Sequence, residues 1–307
     1  MSIAYTQFTV GSGFGALGLV YDGTHIWAVL PLGGSSLAPV LSKINPLTGS
    51  YTQLSSSLAG YALCSDGTNL WMTCGTLSNH VVKINISTGA IVGTYATGND
   101  ANDVLFDGTY IWIVNSNDGT LTQLLASTGA LQGTFATGLA DPSTIAFDGT
   151  NLWVASASTA FLVKMSTAGS VIGTFAATTS PCIYFDGTYI WLGSSAGIGI
   201  ITKINLSGTT VATYTTSATG ACAIHSDGTN LWVLFNGGTV LVATYNPATG
   251  AFLDTSPALP GFPTTNLDSS QFMVWDGTYM WISSFGDPIV TRLKSAAVAN
   301  PLGNVAY

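Results

Sequence analysis

The sequence predicts an all-β protein: a seven-bladed β-propeller with four-stranded antiparallel blades, in which an N-terminal strand closes the last blade. Three observations predict this fold. The phrase Asp-Gly-Thr-x-x-Trp occurs seven times, successive copies lie 38 to 49 residues apart, and short apolar runs flank each copy. A period near forty residues with strand patterns inside every copy is typical of propellers, which repeat one four-stranded sheet around an axis.

The repeated phrase predicts the hairpin between the first two strands of each blade. Asp-Gly between apolar runs favours a tight turn, because glycine adopts positive φ readily and aspartate bonds its own backbone. The strand after the turn is apolar on both faces, so both faces must be covered by neighbouring blades. We therefore expect structural roles for the aspartates, as turn formers, and for the tryptophans, as packing between blades, rather than a cation-binding ring or sugar-stacking platforms. These residues are Asp22, Asp66, Asp107, Asp148, Asp186, Asp227 and Asp276, and Trp27, Trp71, Trp112, Trp153, Trp191, Trp232 and Trp281.

A third strand, a Thr-Gly turn and a fourth strand complete the unit. In the second copy these are VVKIN at 81–85 and GTYATG at 93–98. The last copy has no such fourth strand after Lys294, whereas the N-terminal AYTQFTVG at 4–11 resembles one. We therefore expect residues 3–10 to form the outer strand of blade 7, residues 295–307 to form a C-terminal tail, and residues 1–307 to form one domain.

Composition excludes several classes of function. The net charge is −8 and only six residues are Lys or Arg, which argues against nucleic-acid binding. Five of these six occupy the same third-strand position in different blades, so they form no patch. No apolar stretch reaches the roughly 18 residues of a membrane helix, and no secretion signal is visible. The four cysteines fall mostly in different blades, which favours free thiols over disulfides.

The sequence contains no convincing catalytic constellation. His225 precedes Ser226 and Asp227, but adjacency in sequence is not the geometry of a triad. Cys74 and His80 could share a metal, yet a zinc site normally needs four ligands. We therefore expect a non-catalytic protein without a catalytic metal or cofactor. The alternative is a propeller enzyme, a lyase or hydrolase of a small molecule or polysaccharide, with its site at the axial mouth.

Variable loops on the face opposite the Asp-Gly-Thr turns are the expected place for binding, because a rigid scaffold holds them. Carboxylate and amide oxygens suit sugar hydroxyls or a calcium ion. The alternative is a solvated loop set that keeps a poorly charged protein in solution. The candidate ligand-binding residues are Asp100, Asp103, Asn115, Asn117, Asp118 and Asp141.

The outer strands carry few charges, although charges normally deter edge-to-edge pairing. Either bulges near the recurring Gly93, Gly133 and Gly173 spoil such pairing, or a larger assembly buries the rim.

The units resemble the YVTN-type bacterial and phage propeller repeats in a tryptophan-bearing form, as FDGTNLWVAS at 147–156 illustrates. This resemblance implies a seven-bladed ring in a cell-surface, cell-wall or virion setting, and it implies no catalytic residue. Streptogramin lyases are also broadly similar rings, but their activity relies on His, Glu and a divalent metal, and this chain has no Glu.

The resulting prediction is a non-catalytic binding or structural propeller of a virion, such as a phage tail or capsid appendage, or of a cell surface. It would serve host recognition, adhesion or protein–protein assembly. The expected partners are other structural proteins or surface glycans, with no nucleic acid and no membrane insertion.

Overall fold

The computed structural model describes residues 3–11, 16–30, 40–55, 60–74, 79–194, 198–237, 241–259, 272–283 and 287–294. The predicted tail at 295–307 lies outside these residues. All regular elements in the described ranges are strands, 27 in number, and none is a helix. Accordingly, the described part of the chain contains no helix that could span a membrane.

The strands form antiparallel sheets in which the chain runs outward from the axis, strand by strand. Blade 1 contains β2 (Leu19–Tyr21), β3 (Ile26–Leu30), β4 (Val40–Ile44) and β5 (Tyr51–Ser55). Blade 2 contains β6 (Leu63–Ser65), β7 (Asn69–Thr73), β8 (His80–Asn85) and β9 (Ile91–Ala96). Blade 3 contains β10 (Ala101–Phe106), β11 (Tyr110–Asn115), β12 (Thr120–Leu125) and β13 (Leu131–Ala136). Blade 4 contains β14 (Pro142–Phe147), β15 (Asn151–Ser156), β16 (Phe161–Ser166) and β17 (Val171–Ala176).

The next two blades share a strand. Blade 5 contains β18 (Cys182–Phe185), β19 (Ile190–Gly193), β20 (Ile198–Ile204) and the first part of β21 (Thr210–Ser226). Blade 6 contains the second part of β21 with β22 (Leu231–Gly237), β23 (Leu241–Tyr245) and β24 (Phe252–Thr255). Because β21 is the outer strand of one blade and the inner strand of the next, the two blades form one seven-stranded sheet.

The N-terminal strand closes the ring, as predicted. Blade 7 contains β25 (Met273–Trp275), β26 (Met280–Ser283) and β27 (Ile289–Lys294), and its outer strand is β1 (Ala4–Thr9), paired from Ala4 opposite Lys294 to Thr9 opposite Ile289. The inner strands contact one another in the cycle β2, β6, β10, β14, β18, β21, β25 and back to β2. The all-β propeller with four-stranded antiparallel blades is therefore confirmed.

Two features of the sequence explain how the blades pack and end. All seven repeat tryptophans are fully buried, and each lies among residues of the following blade. On the rim, the third and fourth strands slip by one residue next to the recurring glycines. In blade 2, Gly93 pairs with Lys83 but the next pair is Ile91 with Ile84, so Val92 is the extra residue of a bulge. Equivalent bulges occur beside Gly133 and Gly173, as the sequence suggested.

Candidate functional site

Each Asp-Gly-Thr-x-x-Trp phrase folds as one hydrogen-bonded unit. In every copy, Oδ1 of the aspartate accepts the backbone N–H groups of the residues two and three positions later. Its Oδ2 accepts the indole N–H of the tryptophan at 2.6–2.8 Å. Sequence reasoning expected the turn bonds but missed the indole bond, although the fixed Asp-to-Trp spacing was its pattern. Both oxygens of each carboxylate therefore accept hydrogen bonds within the scaffold.

The third-strand cations also make contacts within the scaffold. Lys83 Nζ lies 5.0 Å from the Trp71 ring centroid and donates to the Ala126 carbonyl of blade 3 at 2.7 Å. A cation over an aromatic face is attracted by the ring quadrupole, and the hydrogen bond joins two blades. The same arrangement links Lys164 to Trp153 and the Leu206 carbonyl, Lys203 to Trp191 and the Pro247 carbonyl, and Arg292 to Trp281 and the Pro46 carbonyl.

Two of the candidate ligand-binding residues stabilise the loops around blade 3. Asn115 is fully buried, donates to the hydroxyls of Thr120 and Thr122, and accepts the Gly98 N–H through Oδ1. The exposed Asp118 accepts the backbone N–H of Asn99 at 2.7 Å and its side-chain N–H at 2.8 Å. These bonds, the backbone one foremost, lower the pKa of the Asp118 carboxyl.

Three other candidates lie at the loop surface. Asp100 and Asp141 precede the inner strands of blades 3 and 4, and both adopt positive φ, 60° and 53°. Burial first, and then the charge of Asp141, raise the pKa of the Asp100 carboxyl. The charge of Asp141 thus acts on the Asp100 carboxyl, while Asn117 is exposed on the neighbouring turn.

The sixth candidate, Asp103, lies in strand β10 rather than in a loop. Its Oδ1 accepts the Val104 N–H at 2.8 Å, and its Oδ2 accepts the Thr144 hydroxyl at 3.1 Å and the Ile145 N–H at 3.0 Å, both in blade 4. Burial raises the pKa of Asp103 to about 6, and the three hydrogen bonds to the anion oppose that shift. This carboxylate joins two inner strands and faces the axis.

An axial cavity of about 180 Å³ lies between the inner strands of blades 2 to 7, and Asp103 is one of its lining residues. His225 and Tyr184 line the same cavity, with ring centroids 4.5 Å apart. His225 Nδ1 accepts the Ser226 N–H at 2.9 Å, and burial lowers the pKa of the imidazole to about 4. A neutral imidazole and a carboxyl of raised pKa therefore share one small cavity.

Sequence reasoning gave His225 little weight and did not single out Tyr184. Both occupy an inner-strand position that is apolar in the other blades, so the sequence pattern does not distinguish them as site residues. Only the ring geometry shows that the inner strands face the axis. Burial also raises the pKa of the Tyr184 hydroxyl to about 12.

The four cysteines, all of which lie within the described residues, form no disulfides, as expected. Burial raises the pKa values of Cys74 and Cys182 to about 12, so these thiols are held protonated. Among the described residues, no three or more His, Cys, Asp or Glu side chains form a group that could hold a metal ion.

Comparison with known proteins identifies the fold alone. No family model matches the chain, and no curated protein matches it by sequence. Among solved structures, it is similar to a catalytically inactive variant of virginiamycin B lyase from Staphylococcus aureus in complex with quinupristin, with a TM-score of 0.75 and 18% identity over 96% of this chain and 100% of that one. It is also similar to Kuenenia stuttgartiensis hydrazine synthase, with a TM-score of 0.58 and 18% identity over 71% of this chain and 70% of that one.

Proposed function

We propose that this chain is a non-catalytic YVTN-like propeller of a virion or cell surface, which binds other structural proteins through its rim. The observation that carries the proposal is a run of exposed apolar side chains along the outer strands of blades 2 to 5. This rim arc consists of Ile91, Val92, Leu131, Val171, Ile172 and Val211, which are 46–61% exposed.

Exposure of this kind needs an explanation. Scattered apolar residues are normal on a surface, but a run along successive edges is typical of interaction sites. The outer strands β9, β13 and β17 contain no charged residue, so only their bulges oppose pairing with another chain. Most of the protein's charged side chains are meanwhile bound within the scaffold, which supports a structural rather than a catalytic role.

The test places charges on the rim arc. The double variant Val92→Lys and Ile172→Lys changes two exposed bulge residues, and a matched control, Thr68→Lys and Thr150→Lys, adds the same charge at exposed Asp-Gly-Thr turns. In gentle extracts of the native host, the wild-type chain should fractionate well above its own mass of 31.6 kDa. The rim variant should return to that mass and the turn variant should not. A wild-type chain that fractionates alone, or two variants that behave alike, would refute the proposal.

A second candidate function is a small-molecule lyase acting at the axial cavity. It is favoured by the similarity to virginiamycin B lyase, whose inactive variant carries a histidine-to-alanine substitution. In this chain, His225, Asp103 and Tyr184 line the axial cavity. The imidazole is neutral at pH 7 because its pKa is about 4, and since Nδ1 accepts the Ser226 N–H, its Nε2–H is the group that would donate to a substrate oxygen.

Quinupristin is the direct probe of this candidate. The purified chain would be incubated with quinupristin, with and without Mg²⁺, and the intact compound followed by mass spectrometry. Loss of quinupristin that disappears in His225→Ala but persists in Thr68→Ala would support lyase activity. Unchanged quinupristin under both conditions would remove this candidate.

A further inference from the structure

A second cavity, distinct from the axial one, lies between blades 5 and 6. It has a volume of about 380 Å³ and is open to solvent. One wall is the stretch 217–219 of β21, and the other is formed by residues of β23 and β24, among them Ala243, Tyr245 and Phe252. This volume falls within the range of about 300–1,000 Å³ that is usual for small-molecule sites. We call it the blade 6 cleft.

The cleft lies beside the smallest side chain found at its position in the ring. Ala243 pairs with the residue after the repeat tryptophan, where the other blades have Ser42, Val82, Thr122, Val163, Thr202 and Thr291. The smaller side chain leaves space in the sheet face. Filling this position with valine is therefore compatible with the blade architecture.

One aromatic ring occupies a position that is aliphatic in the neighbouring blades. Tyr245 takes the place of Ile204 in blade 5 and Leu293 in blade 7, and its ring packs edge-on against Phe252 at 6.0 Å between centroids. Phe252 is 56% exposed although it is large and apolar. An aromatic face at the mouth of a cleft is a surface on which an apolar ligand face can stack.

The polar groups of the cleft are hydroxyls, and none of its lining residues is charged. Thr219 donates its hydroxyl proton to the Gly237 carbonyl at 2.7 Å, and Thr255 donates to the Val242 carbonyl at 3.3 Å. A hydroxyl whose proton is committed in this way offers its oxygen as an acceptor. Ser217 adds an exposed hydroxyl at the edge. The site thus offers acceptors for donor hydroxyls beside an aromatic face.

We propose that the blade 6 cleft binds a neutral carbohydrate, whose C–H face stacks on Phe252 while its hydroxyls donate to Thr219 and Thr255. Uncharged acceptors next to an exposed ring match a pyranose, which has an apolar face and a rim of hydroxyls. A charged ligand would find no counter-charge among the lining residues. Phe252 is the blade 6 equivalent of Ile91, so the cleft borders the rim arc, and sugar binding is therefore tested on the purified chain, apart from the assembly proposed above.

The test is saturation-transfer NMR of the purified full chain with methyl α-D-glucopyranoside, methyl α-D-mannopyranoside and methyl β-D-galactopyranoside, each added alone. We expect transfer to the ring protons of at least one of them. Ala243→Val, which fills the cleft, and Phe252→Ala, which removes the ring, should each weaken that binding by about tenfold or more. Leu253→Ala is the matched control, because Leu253 is an exposed neighbour of Phe252 that does not line the cleft.

Each outcome decides the proposal. Transfer that is lost in Ala243→Val and Phe252→Ala, but kept in Leu253→Ala, supports carbohydrate binding in the cleft. The proposal is overturned if none of the three glycosides shows transfer, or if Ala243→Val binds like the wild type while its thermal melting shows that it is folded. Binding of indole with no glycoside binding would also overturn it, because the cleft would then be a purely apolar site.

Discussion

Asp103 and His225 share the axial cavity and should make opposite contributions to the pH dependence of folding stability. The pKa of Asp103 is raised from 3.8 to about 6 in the folded protein. The folded state therefore holds this proton more tightly than the unfolded state, so the contribution is fully present below pH 3.8 and is lost as the pH rises to about 6. At 1.36 kcal/mol per unit, the shift corresponds to about 3 kcal/mol.

His225 acts in the opposite direction. Burial lowers its pKa from 6.5 to about 4, so the folded state disfavours the imidazolium. Its contribution is present above pH 6.5 and is lost as the pH falls to about 4, again by about 3 kcal/mol. Between pH 4 and pH 6 the two effects nearly cancel in the wild type.

Replacing one group at a time should separate the two slopes. In Asp103→Asn, only the histidine effect remains, so the free energy of unfolding should fall by about 3 kcal/mol, relative to wild type, as the pH is lowered from 6 to 4. In His225→Phe, which keeps a ring beside Tyr184, the free energy of unfolding should instead rise by a similar amount, relative to wild type, over the same pH interval. Urea denaturation at a series of pH values measures both. The exposed Asn117, replaced by Ala, is the control: it removes no titratable group and should run parallel to wild type. If the Asp103→Asn curve also runs parallel to wild type, the assignment of these pKa shifts is wrong.

Three further predictions concern how the blades are joined. Gly129→Ala should lower the free energy of unfolding by more than about 2 kcal/mol, because a Cβ there would lie 2.0 Å from the Tyr95 ring at a φ of +81°. Gly138→Ala is the control: φ is +78° but nothing lies within 4 Å, so chemical denaturation should show a smaller loss of unfolding free energy. Deletion of residues 1–10 should lower the melting temperature of the whole ring, because it removes β1 and the stacking of Phe8 on Trp281; unchanged melting would contradict the role of β1. Lys83→Met should cost about 1–2 kcal/mol of unfolding free energy through the lost cation–π contact and carbonyl bonds, with the partly exposed Lys164→Met costing less.

The fold could be predicted from the sequence because its determinants are local and repeated. Asp-Gly turns, strands apolar on both faces and Thr-Gly turns each lie within a few residues. Repetition shows the Asp-Gly turn seven times and the Thr-Gly turn between the third and fourth strands four times. The hydrogen bond between the aspartate and the indole N–H was not predicted, although it is also local. Asp107 and Trp112 are only five residues apart, and their hydrogen bond at 2.7 Å is as local as the turn itself.

The candidate sites were harder to predict because they depend on distances between blades. Asp103 follows a loop in sequence, yet a register shift after Ala101 turns its carboxylate toward Thr144 and Ile145 of the next blade. The blade 6 cleft likewise depends on β21 running unbroken from one blade into the next. Unlike the rim bulges, the register shift between Ala101 and Asp103 is not marked by a glycine, and an unbroken strand has no composition that a single sequence reveals.

The third-strand contacts from one blade to the next differ in blade 6, which precedes the blade where the ring closes. In blades 2, 4, 5 and 7, a Lys or Arg donates to the third-to-fourth strand turn of the following blade, and in blade 3 Gln123 does so through its amide. In blade 6, the residue paired with Trp232 is Thr244. In blade 7, the third and fourth strands are β27 and the N-terminal β1, which are not consecutive in the chain. The position that supplies the acceptor carbonyl in the other blades corresponds there to residue 295, which lies outside the described residues. Within the described residues, the backbone joins blades 6 and 7, since the Ile3 N–H, just before β1, donates to the Thr255 carbonyl at 3.2 Å.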